Sequence, residues 1–372
     1  MNNTSEYQIC TRCVMDTSDQ EIFFDRKGIC NHCHEYDFRI KRYVPDKENA
    51  KSALNSILDK IKKDQSNKKY DCILGLSGGV DSSFLAVKLK EFGLRPLAVH
   101  LDNGWNTEIS TKNVENVIKK LNIDIFTHVL DWNEFKDLQM SFLKASTPDI
   151  EIPTDHAITA VLLKTAERLK IPYILTGGNV KTECHLPRTW SSGHHDWNYI
   201  RSVNRIFGKT DLKNFPHFTF FGLLKKRFSQ NWINLLNYID YSPKTAKKVL
   251  PEYGWQNYDG KHYESVFTRF YQGYILPQKF GYDKRRCHLS SLVCSSEITR
   301  DIALEELKKS GYPEELLRED KQIFLKKFEI TENEFAQLMN LPIKSIIDYN
   351  SQEKLFRMFG LNKFWQLIRK IV

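Results

Sequence analysis

Residues 70–83 read YDCILGLSGGVDSS, an apolar run followed by a glycine-rich turn. The run up to Leu76 has the character of a buried strand, and Leu85, Leu89 and Phe92 then recur at helical spacing. Paired glycines let a backbone approach an anion closely, and the free N–H groups of a helix start point at it. The segment therefore predicts a phosphate-binding loop between a strand and a helix.

Asp81 is the unusual residue of this loop, because a carboxylate beside phosphates suits a site in which Mg²⁺ bridges the two. An ordinary helix N-cap at Asp81 or Ser82 is the alternative. That alternative leaves the preceding residues 77–79 unexplained, so the sequence favours a nucleotide site.

Three more strand-like runs follow at 97–101, 123–130 and 171–175, and they alternate with helical patterns. This alternation predicts an α/β protein with a parallel, doubly wound sheet. Ligands of such sheets bind beyond the carboxyl ends of the strands, so we expect the loops there to form one site. The loops are 77–83, 102–105 and 176–183.

Four cysteines near the N-terminus have the paired C-x2-C spacing of a tetrahedral zinc site. They are Cys10, Cys13, Cys30 and Cys33. A turn at 25–28 indicates a hairpin that returns the second pair to the first. Four thiolates leave no coordination position for substrate, so the zinc would be structural; a redox pair or an iron–sulfur centre is the alternative. The remaining cysteines are interpreted as small packing residues: Cys72, Cys184, Cys287 and Cys294.

The composition indicates a folded globular chain. Of its 372 residues, 41% are hydrophobic and 27% charged, which excludes disordered and fibrous classes and fits two or three structural units. No apolar run approaches the ~20 residues of a membrane span and no signal-peptide pattern opens the chain, so a cytoplasmic location is expected. The net charge of +9 favours an anionic partner such as a nucleotide, a nucleotide-sugar or RNA.

Aromatic and basic residues interleave between 215 and 286, which suits a sugar or uracil ring beside phosphates and also single-stranded nucleic acid. The candidate substrate contacts are Lys261, Glu264, Arg269, Lys284 and Arg285. Solvated charge and core packing are the alternative for each. His194, His195 and Asp196 are interpreted as loop residues, with metal ligands as the alternative, since adjacent histidine side chains project apart.

The last part of the chain is predicted to be helical. Thr331 and Glu334 form a capping box, and 361–372 has an apolar face that is expected to pack on its own chain, with a partner or a membrane surface as the alternative. The predicted domain organisation has three parts. They are a four-cysteine zinc module (1–45), a nucleotide-binding domain (46–190) and a substrate-binding, mostly helical region (191–372).

Several of these segments carry a family resemblance. Ser77–Ser82 resembles the SGGxDS signature of the PP-loop ATP pyrophosphatases, which include GMP, asparagine and NAD synthetases and tRNA-thiolating enzymes. In combination with other motifs, the chain resembles the bacterial N-acetyl sugar amidotransferases of the surface polysaccharide and pseudaminic acid type. Those motifs are Cys10-Thr11-Arg12-Cys13-Val14-Met15-Asp16-Thr17, Cys30-Asn31-His32-Cys33, Gly177-Gly178-Asn179 with Thr182-Glu183, and Asp283-Lys284-Arg285-Arg286 before His288-Leu289-Ser290-Ser291-Leu292.

The resemblance covers nearly the whole chain and implies a PP-loop sheet of the adenine nucleotide alpha hydrolase-like type. It implies an enzyme that converts an acetamido group of a nucleotide-activated or nonulosonic sugar into an acetamidino group. ATP would activate the amide oxygen as an O-adenylyl intermediate with loss of pyrophosphate, and ammonia would then displace AMP. The implied cofactors are ATP, Mg²⁺ and Zn²⁺.

The resemblance also implies roles for individual residues. Pyrophosphate and Mg²⁺ would be held by Ser77, Gly78, Gly79, Asp81, Ser82 and Ser83. Asp102 and Gly104 would lie near the nucleotide, and Asn179 and Glu183 would act with Asp81 near the reacting centre. Glu183 would hold a second metal or accept a proton from ammonia; an exposed helix-start carboxylate is the alternative.

The sequence shows no recognisable glutaminase domain, so nitrogen is expected from ammonium or from a separate subunit. The resemblance implies a glutaminase like that of imidazole glycerol phosphate synthase together with a cyclase-like companion, and no nucleic-acid partner.

Two other functions stay open. A tRNA sulfur-transfer enzyme also combines a four-cysteine site, a PP-loop and positive charge, and it would need a reactive cysteine such as Cys184. A zinc-containing nucleotide sensor is the non-enzymatic possibility, and it predicts ATP binding without turnover.

Overall fold

The computed structural model describes residues 6–258, 260 and 263–360, with the backbone alone for 227 and 228. Five strands form its sheet: β1 Cys72–Gly75, β2 Pro96–Asp102, β3 Asp124–Val129, β4 Tyr173–Leu175 and β5 Asn231–Ile233. All pairings are parallel and the order is β3-β2-β1-β4-β5. This confirms the α/β class and the parallel sheet.

Helices make up most of the remaining structure. The α-helices are α1 Asn31–Tyr43, α2 Lys47–Asp64, α3 Val80–Glu91, α4 Glu108–Leu121, α5 Trp132–Ala145, α6 Ile152–Leu169, α7 Trp197–Phe207, α8 Phe220–Ser229, α9 Pro243–Val249, α10 Val266–Phe270, α11 Arg285–Cys294, α12 Arg300–Lys308, α13 Glu314–Phe328, α14 Glu332–Met339 and α15 Gln352–Met358. Short 3₁₀ turns span Leu235–Tyr238, Leu250–Tyr253 and Ile346–Asp348, and a π-helical segment spans Tyr271–Phe280. Among these described helices, none is both long and apolar enough to cross a membrane.

The central strand β1 is buried on both faces. Cys72 and Leu74 pack into the apolar cluster formed with α2, α3 and α4, whereas Ile73 faces the cluster formed with α6. A parallel strand that helices cover on both sides has a near-continuous apolar sequence. This is why residues 72–76 show no alternation of polar and apolar side chains.

Local signals in the sequence are confirmed where they are strong. A helical pattern between the runs at 123–130 and 171–175 is confirmed by α6, which begins at Ile152. The Thr331–Glu334 capping box opens α14, with both reciprocal hydrogen bonds present. The helix predicted for 361–372 lies outside the described residues.

The sheet contains one strand that was not predicted. β5 pairs with β4 through Tyr173↔Asn231, Ile174↔Trp232 and Leu175↔Ile233. A three-residue edge strand is too short to show periodicity. Because β5 lies beyond residue 190, the sheet contains residues from both sides of the domain boundary predicted there. The division into three domains stays a prediction.

An aromatic cluster around Trp105 joins the sheet to the C-terminal helices. Trp105 follows β2 and is buried, with its ring centroid 5.2 Å from that of Phe267 in α10 and 5.5 Å from that of Phe328 in α13. Its indole N–H donates to Gln139 Oε1 in α5 at 2.7 Å. These contacts bring the chain beyond residue 260 to the carboxyl edge of the sheet.

The close approach of α4 to the glycine turn gives a stability prediction. Gly78 has a φ of +85°, and a Cβ there would lie 2.6 Å from the carbonyl oxygen of Ser110 in α4. Gly281 has a φ of +74° but nothing within 4 Å of its Cβ position, so it is a matched control.

We expect Gly281→Ala to lower the free energy of unfolding by about 1–2 kcal/mol, the strain of a left-handed backbone. Gly78→Ala should lower it by about 3 kcal/mol or more, because α4 must also move. Urea denaturation of both variants measures the difference. Equal losses would contradict the backbone contact.

Candidate active site

A cavity of about 550 Å³ lies at the carboxyl edge of the sheet, beyond the ends of β1, β2 and β4. Two of the loops expected to meet there, 77–83 and 176–183, contribute lining residues, and the third contributes Asn103. Further lining residues come from α6 and from the segment 255–288. The cavity therefore lies between the glycine turn and a distant part of the sequence.

The glycine turn leads directly into the N-terminus of α3, with Gly79 as the N-cap residue. Ser82 Oγ accepts a hydrogen bond from the Ser77 N–H at 3.2 Å and donates to the Gly79 carbonyl at 3.3 Å. The indole N–H of Trp255 donates to the Gly78 carbonyl at 2.9 Å. With its carbonyls and hydroxyls held in this way, the turn presents a helix N-terminus to the cavity, and such a terminus favours an anionic ligand.

Gly177 closes the turn from the other side. A Cβ on Gly177 would lie 2.8 Å from the backbone nitrogen of Ser82. The loop after β4 thus approaches the first turn of α3 closely enough that only glycine fits, and it aligns Gly177 and Gly178 along the cavity wall.

Asp81 lines the cavity from the first turn of α3, and the hydroxyl of the buried Tyr241 donates to its carboxylate. Ser83 is fully buried one turn into the helix, and its Oγ has no hydrogen-bond partner in the part of the chain that the structure describes. Asp81 is therefore fixed in orientation while it faces the cavity.

Tyr258 and Glu264, in the segment 255–288, lie close to the glycine turn. The Tyr258 hydroxyl and Glu264 Oε1 lie 3.4 and 3.6 Å from the position that a Cβ on Gly79 would take. Burial, together with the negative charges of Glu264 and Asp81, raises the pKa of Tyr258 well above its usual value. The phenol therefore stays protonated and can donate a hydrogen bond.

Glu151 and Asp155 add two carboxylates that were not singled out from the sequence. Both line the cavity at the start of α6. Glu151 Oε2 accepts from Gln272 Nε2 at 3.0 Å, and Thr268 donates to Glu151 Oε1. The signal that could have found the pair is its spacing of four residues at a helix start, which places both on one side.

His194 links Asp155 to the buried Asp149. Its Nε2 lies 3.1 Å from Asp149 Oδ2 and 3.4 Å from Asp155 Oδ2. Burial opposes the charged form of His194, but Asp149 raises its pKa to about 9. Burial would likewise raise the pKa of Asp149, yet His194 lowers it to about 2. His194 lies in a loop, as the sequence predicts, and it also forms an ion pair with Asp149 there.

The pKa of Asp155 is shifted upward, in the opposite direction to that of Asp149. Loss of hydration within the protein raises its pKa to about 6, with further raising by Glu151 and Asp149 against the opposing charge of His194. Its side chain is 50% exposed, at the cavity. Asp155 therefore changes protonation near neutral pH where a ligand can reach it.

The residues predicted to contact substrate separate into three groups. Glu264 and Lys284 line the cavity. Arg269 and Arg285 do not: Arg269 forms a bidentate pair with the buried Asp320, at 2.5 and 2.7 Å. Arg285 pairs with Asp283 at 2.7 Å and donates to backbone carbonyls at the end of α12. Lys261 lies outside the described residues.

Of the residues predicted near the nucleotide and the reacting centre, Asp81 and Glu183 line the cavity, and Asp102, Gly104 and Asn179 do not. Asn179 is buried, and its Oδ1 accepts from the Thr182 N–H at 2.9 Å, which shapes the loop. Asp102 Oδ1 accepts from the Gly104 N–H at 2.9 Å, and the Gly104 carbonyl accepts from Lys327. Asp102 and Gly104 thus form the turn that carries Asn103 to the cavity.

The cavity is rich in carboxylates beside its anion-binding turn. Among the described residues, the acidic side chains that line the cavity are Asp81, Glu151, Asp155, Glu183 and Glu264, and the lysines are Lys247 and Lys284. Phosphates at the turn would be repelled by these carboxylates unless a divalent cation lay between them. The site therefore suits a metal-bound phosphate at one end and a cationic group at the other.

The four N-terminal cysteines converge as their spacing predicts, and all are buried. The Cys10–Cys33 and Cys30–Cys33 sulfurs are 3.8 Å apart, and Cys13–Cys30 are 3.7 Å apart. The predicted hairpin is present: Phe24 pairs with Cys30, and Gly28 occupies the turn with a φ of +76°. The group could hold one metal ion and lies apart from the cavity lining.

Residues 264–370 match the family model described as LPS biosynthesis protein WbpG-like, C-terminal domain. The match begins at Glu264, so it includes Glu264 and the cavity-lining residues that follow it in the sequence. These are Ser265, Thr268, Gln272, Lys284 and His288. No curated protein sequence matches the chain.

Several solved structures are similar to the chain. NMN synthetase from Francisella tularensis is 13% identical over 80% of this chain and 97% of that one, with a TM-score of 0.32. NH3-dependent NAD synthetase from Campylobacter jejuni is 14% identical over 57% and 99%, with a TM-score of 0.29. A predicted subunit of tRNA methyltransferase from Methanocaldococcus jannaschii is 19% identical over 49% and 76%, also with a TM-score of 0.29. At these TM-scores the similarity carries no argument about function.

The His194–Asp149 pair gives a pH-dependent stability prediction. Because the pKa of His194 rises from 6.5 to about 9, its stabilisation is complete below pH 6.5 and is lost as the pH rises through about 9. We expect His194→Gln to lower the free energy of unfolding by about 1.5–3 kcal/mol at pH 6, the range for hydrogen bonds to charged groups.

Urea denaturation at pH 6 and above pH 9 measures the effect. The deficit of His194→Gln relative to the wild type should shrink at the higher pH, and Asp149→Asn, which removes the partner, should flatten the pH dependence in the same range. A deficit that is constant with pH would contradict the charged pair.

Proposed function

We propose that the chain is an ATP-dependent amidotransferase that converts an acetamido group of a nucleotide-activated or nonulosonic sugar into an acetamidino group. One observation carries the proposal. The glycine turn lines the same cavity as six residues of the segment that matches an LPS biosynthesis family, namely Glu264, Ser265, Thr268, Gln272, Lys284 and His288. A candidate phosphate site and residues of a segment similar to an LPS biosynthesis protein would thus share one space, as a reaction between ATP and a sugar requires.

The turn and the start of α3 would hold the pyrophosphate of ATP. The backbone amides there form a helix N-terminus, and Ser77 and Ser82 add hydroxyls at the cavity surface. Ser83, also predicted to hold pyrophosphate, is fully buried and does not line the cavity. The lack of space for a Cβ at Gly78 and Gly177 explains why backbone rather than side chains forms this cradle.

Mg²⁺ fits the acidic residues beside the turn. Asp81, oriented by Tyr241, and Glu264, across the turn, are the carboxylates that would hold it. When bound, Mg²⁺ neutralises negative charge on the phosphates.

The chemistry explains the need for ATP. The amide oxygen is a poor leaving group as hydroxide, so it would attack the α-phosphate while the bond to pyrophosphate breaks. Ammonia would then add to the imidate carbon, and the C–O bond would break with AMP as the leaving group. The amide oxygen ends on AMP, and the protein contributes positioning and charge stabilisation.

The Glu151–Asp155 end of the cavity suits the nitrogen chemistry. Ammonium and the amidinium product are cations, and two carboxylates with Gln272 and Thr268 provide acceptors for them. Asp155, whose pKa is about 6, would accept the proton that ammonia loses as it attacks. Glu183, in the loop after β4, would hold a second metal or accept a proton from ammonia.

The four cysteines would hold a structural Zn²⁺. Tetrahedral coordination with a Zn–S distance of about 2.3 Å separates the sulfurs by about 3.8 Å, which agrees with the spacings of 3.7 and 3.8 Å. The ion would stabilise a segment with little core of its own.

The nitrogen would come from solution in vitro and from a partner in the cell. The proposed partners are a glutaminase resembling that of imidazole glycerol phosphate synthase and a cyclase-like companion. The isolated chain should accordingly use ammonium and not glutamine.

The arrangement of cysteines disfavours the sulfur-transfer alternative. Thiolation needs a reactive cysteine at the adenylated base, but no cysteine lines the cavity among the described residues. Cys184, the candidate, is buried one residue beyond the lining Glu183.

A turnover assay tests the function. Purified chain is incubated with ATP, Mg²⁺, ammonium and a panel of nucleotide-activated and nonulosonic acetamido sugars, and products are followed by mass spectrometry. We expect AMP and pyrophosphate with a sugar product lighter by about one mass unit, because NH replaces O. Glutamine in place of ammonium should give no product.

Asp81→Asn should lower turnover by at least 100-fold, on the scale of losing charge stabilisation at a transition state, while the melting temperature stays near that of the wild type. Asp211→Asn, on an exposed loop, is the matched control and should retain activity. ADP and phosphate as stoichiometric products would overturn the assignment.

A further inference from the structure

A second group of metal-ligand side chains adjoins the four-cysteine cluster. Cys294, the last residue of α11, places its Sγ 3.8 Å from Cys33 Sγ and 3.6 Å from His185 Nε2. The three ligand atoms lie within 4.8 Å of one another. We propose that they form a second zinc site, in which the Cys33 thiolate bridges two metal ions. The proposal rests on the four-cysteine zinc centre of the proposed function.

The distances match tetrahedral coordination. With Zn–S of about 2.3 Å and Zn–N of about 2.0–2.1 Å, two sulfurs bound to one zinc are about 3.8 Å apart, and a sulfur and a nitrogen about 3.6 Å apart. The Cys33–Cys294 and Cys294–His185 separations have these values. Cys33 has the same 3.8 Å separation from Cys10 in the first cluster. Cys33 therefore stands at a corner shared by two tetrahedra.

The hydrogen bonds of His185 leave its Nε2 available as a ligand. Ser291 Oγ donates its proton to the Cys287 carbonyl at 3.1 Å, so it accepts from His185 Nδ1 at 2.9 Å. The proton on Nδ1 places the lone pair on Nε2, which points toward Cys294. A metal-binding histidine characteristically has this arrangement, in which the second ring nitrogen is anchored to an oxygen.

Contacts between α11 and the cysteine module bring Cys294 to Cys33. The Val14 N–H in the cysteine module donates to Ser290 Oγ of α11 at 3.2 Å, and Arg286 of α11 donates to the Val14 carbonyl at 2.8 Å. Arg286 also pairs with Asp16 at 3.0 Å. The helix that carries Cys294 is thus fixed against the module that carries Cys33.

The charge and the ligand types favour a second zinc. Four thiolates around one Zn²⁺ carry a formal charge of −2, which is unfavourable in a buried cluster. A second Zn²⁺ bound by the Cys294 thiolate and a neutral imidazole adds +1, so the pair is closer to neutral. Thiolate and imidazole ligands suit zinc. Cys294 is only partly buried, so the metal can enter and water can take the fourth position.

The second centre would position the cavity loop. His185 lies two residues after Glu183, which lines the cavity. A metal bound by His185, Cys33 and Cys294 would tie the end of this loop to α1 and α11. His185 and Cys294 are therefore proposed as positioning residues, without contact to the reacting groups.

Zinc stoichiometry of the purified full-length chain tests the inference. After exchange into metal-free buffer, the chain is titrated with Zn²⁺ against a chromophoric chelator, and bound zinc is measured by mass spectrometry. We expect about two equivalents for the wild type, with the second bound more weakly because its site has only three protein ligands. Cys294→Ser should retain about one. Cys184→Ser, the neighbouring cysteine outside both clusters, is the matched control and should retain two.

The variants separate the possible outcomes. Circular dichroism verifies that Cys294→Ser is folded, and His185→Gln provides an independent loss of the second equivalent. One equivalent in both the wild type and Cys294→Ser, or a Cys33–Cys294 disulfide in place of metal, would overturn the second centre and leave the first. No zinc in the wild type, or unchanged zinc in Cys10→Ser, would overturn the four-cysteine centre as well.

Discussion

Contact of backbone with backbone around the start of α3 is the constraint on which the site depends. The Gly78 position lies against the Ser110 carbonyl of α4, and the Gly177 position lies against the Ser82 nitrogen. With no side chains between them, α3, α4 and the loop after β4 approach closely enough to leave the helix N-terminus exposed to one cavity. Any side chain at either glycine would separate these segments, so the shape of the glycine turn and the packing of α3 cannot be changed independently.

The second half of the site is brought in by a short pairing between distant parts of the chain. The Thr107 N–H donates to the Glu264 carbonyl and the Val266 N–H donates to the Trp105 carbonyl, both at 2.9 Å. This pairing, supported by the aromatic cluster around Trp105, places the Glu264 carboxylate across from Gly79. The segment that matches an LPS biosynthesis family is therefore part of the cavity lining, together with the glycine turn.

The features that could be predicted from the sequence are those with local causes. The apolar run before Ser77 and the cysteine spacing are confirmed as a strand and a cluster, because a short continuous apolar run and short-range geometry determine them. Partners of charged residues depend on tertiary packing. Lys284 faces the cavity while its neighbour Arg285 binds helix carbonyls, a difference that no local pattern reveals.

Long-range pairs were missed for the same reason. Arg269 is bound by Asp320, 51 residues away, and Cys294 approaches Cys33 across 261 residues. The link of Asp155 to His194 and Asp149 was likewise not predicted, because it depends on how a later loop folds over α6.

The central claim is that the amide oxygen of the sugar is activated at the α-phosphate held near the glycine turn. Transfer of an ¹⁸O label tests it most directly: an acetamido sugar labelled at its carbonyl oxygen is converted with ATP and ammonium, and the label is located by mass spectrometry. The account predicts that the label appears in the phosphate of AMP, in one equivalent per amidine formed. Label in water, pyrophosphate or inorganic phosphate would contradict it.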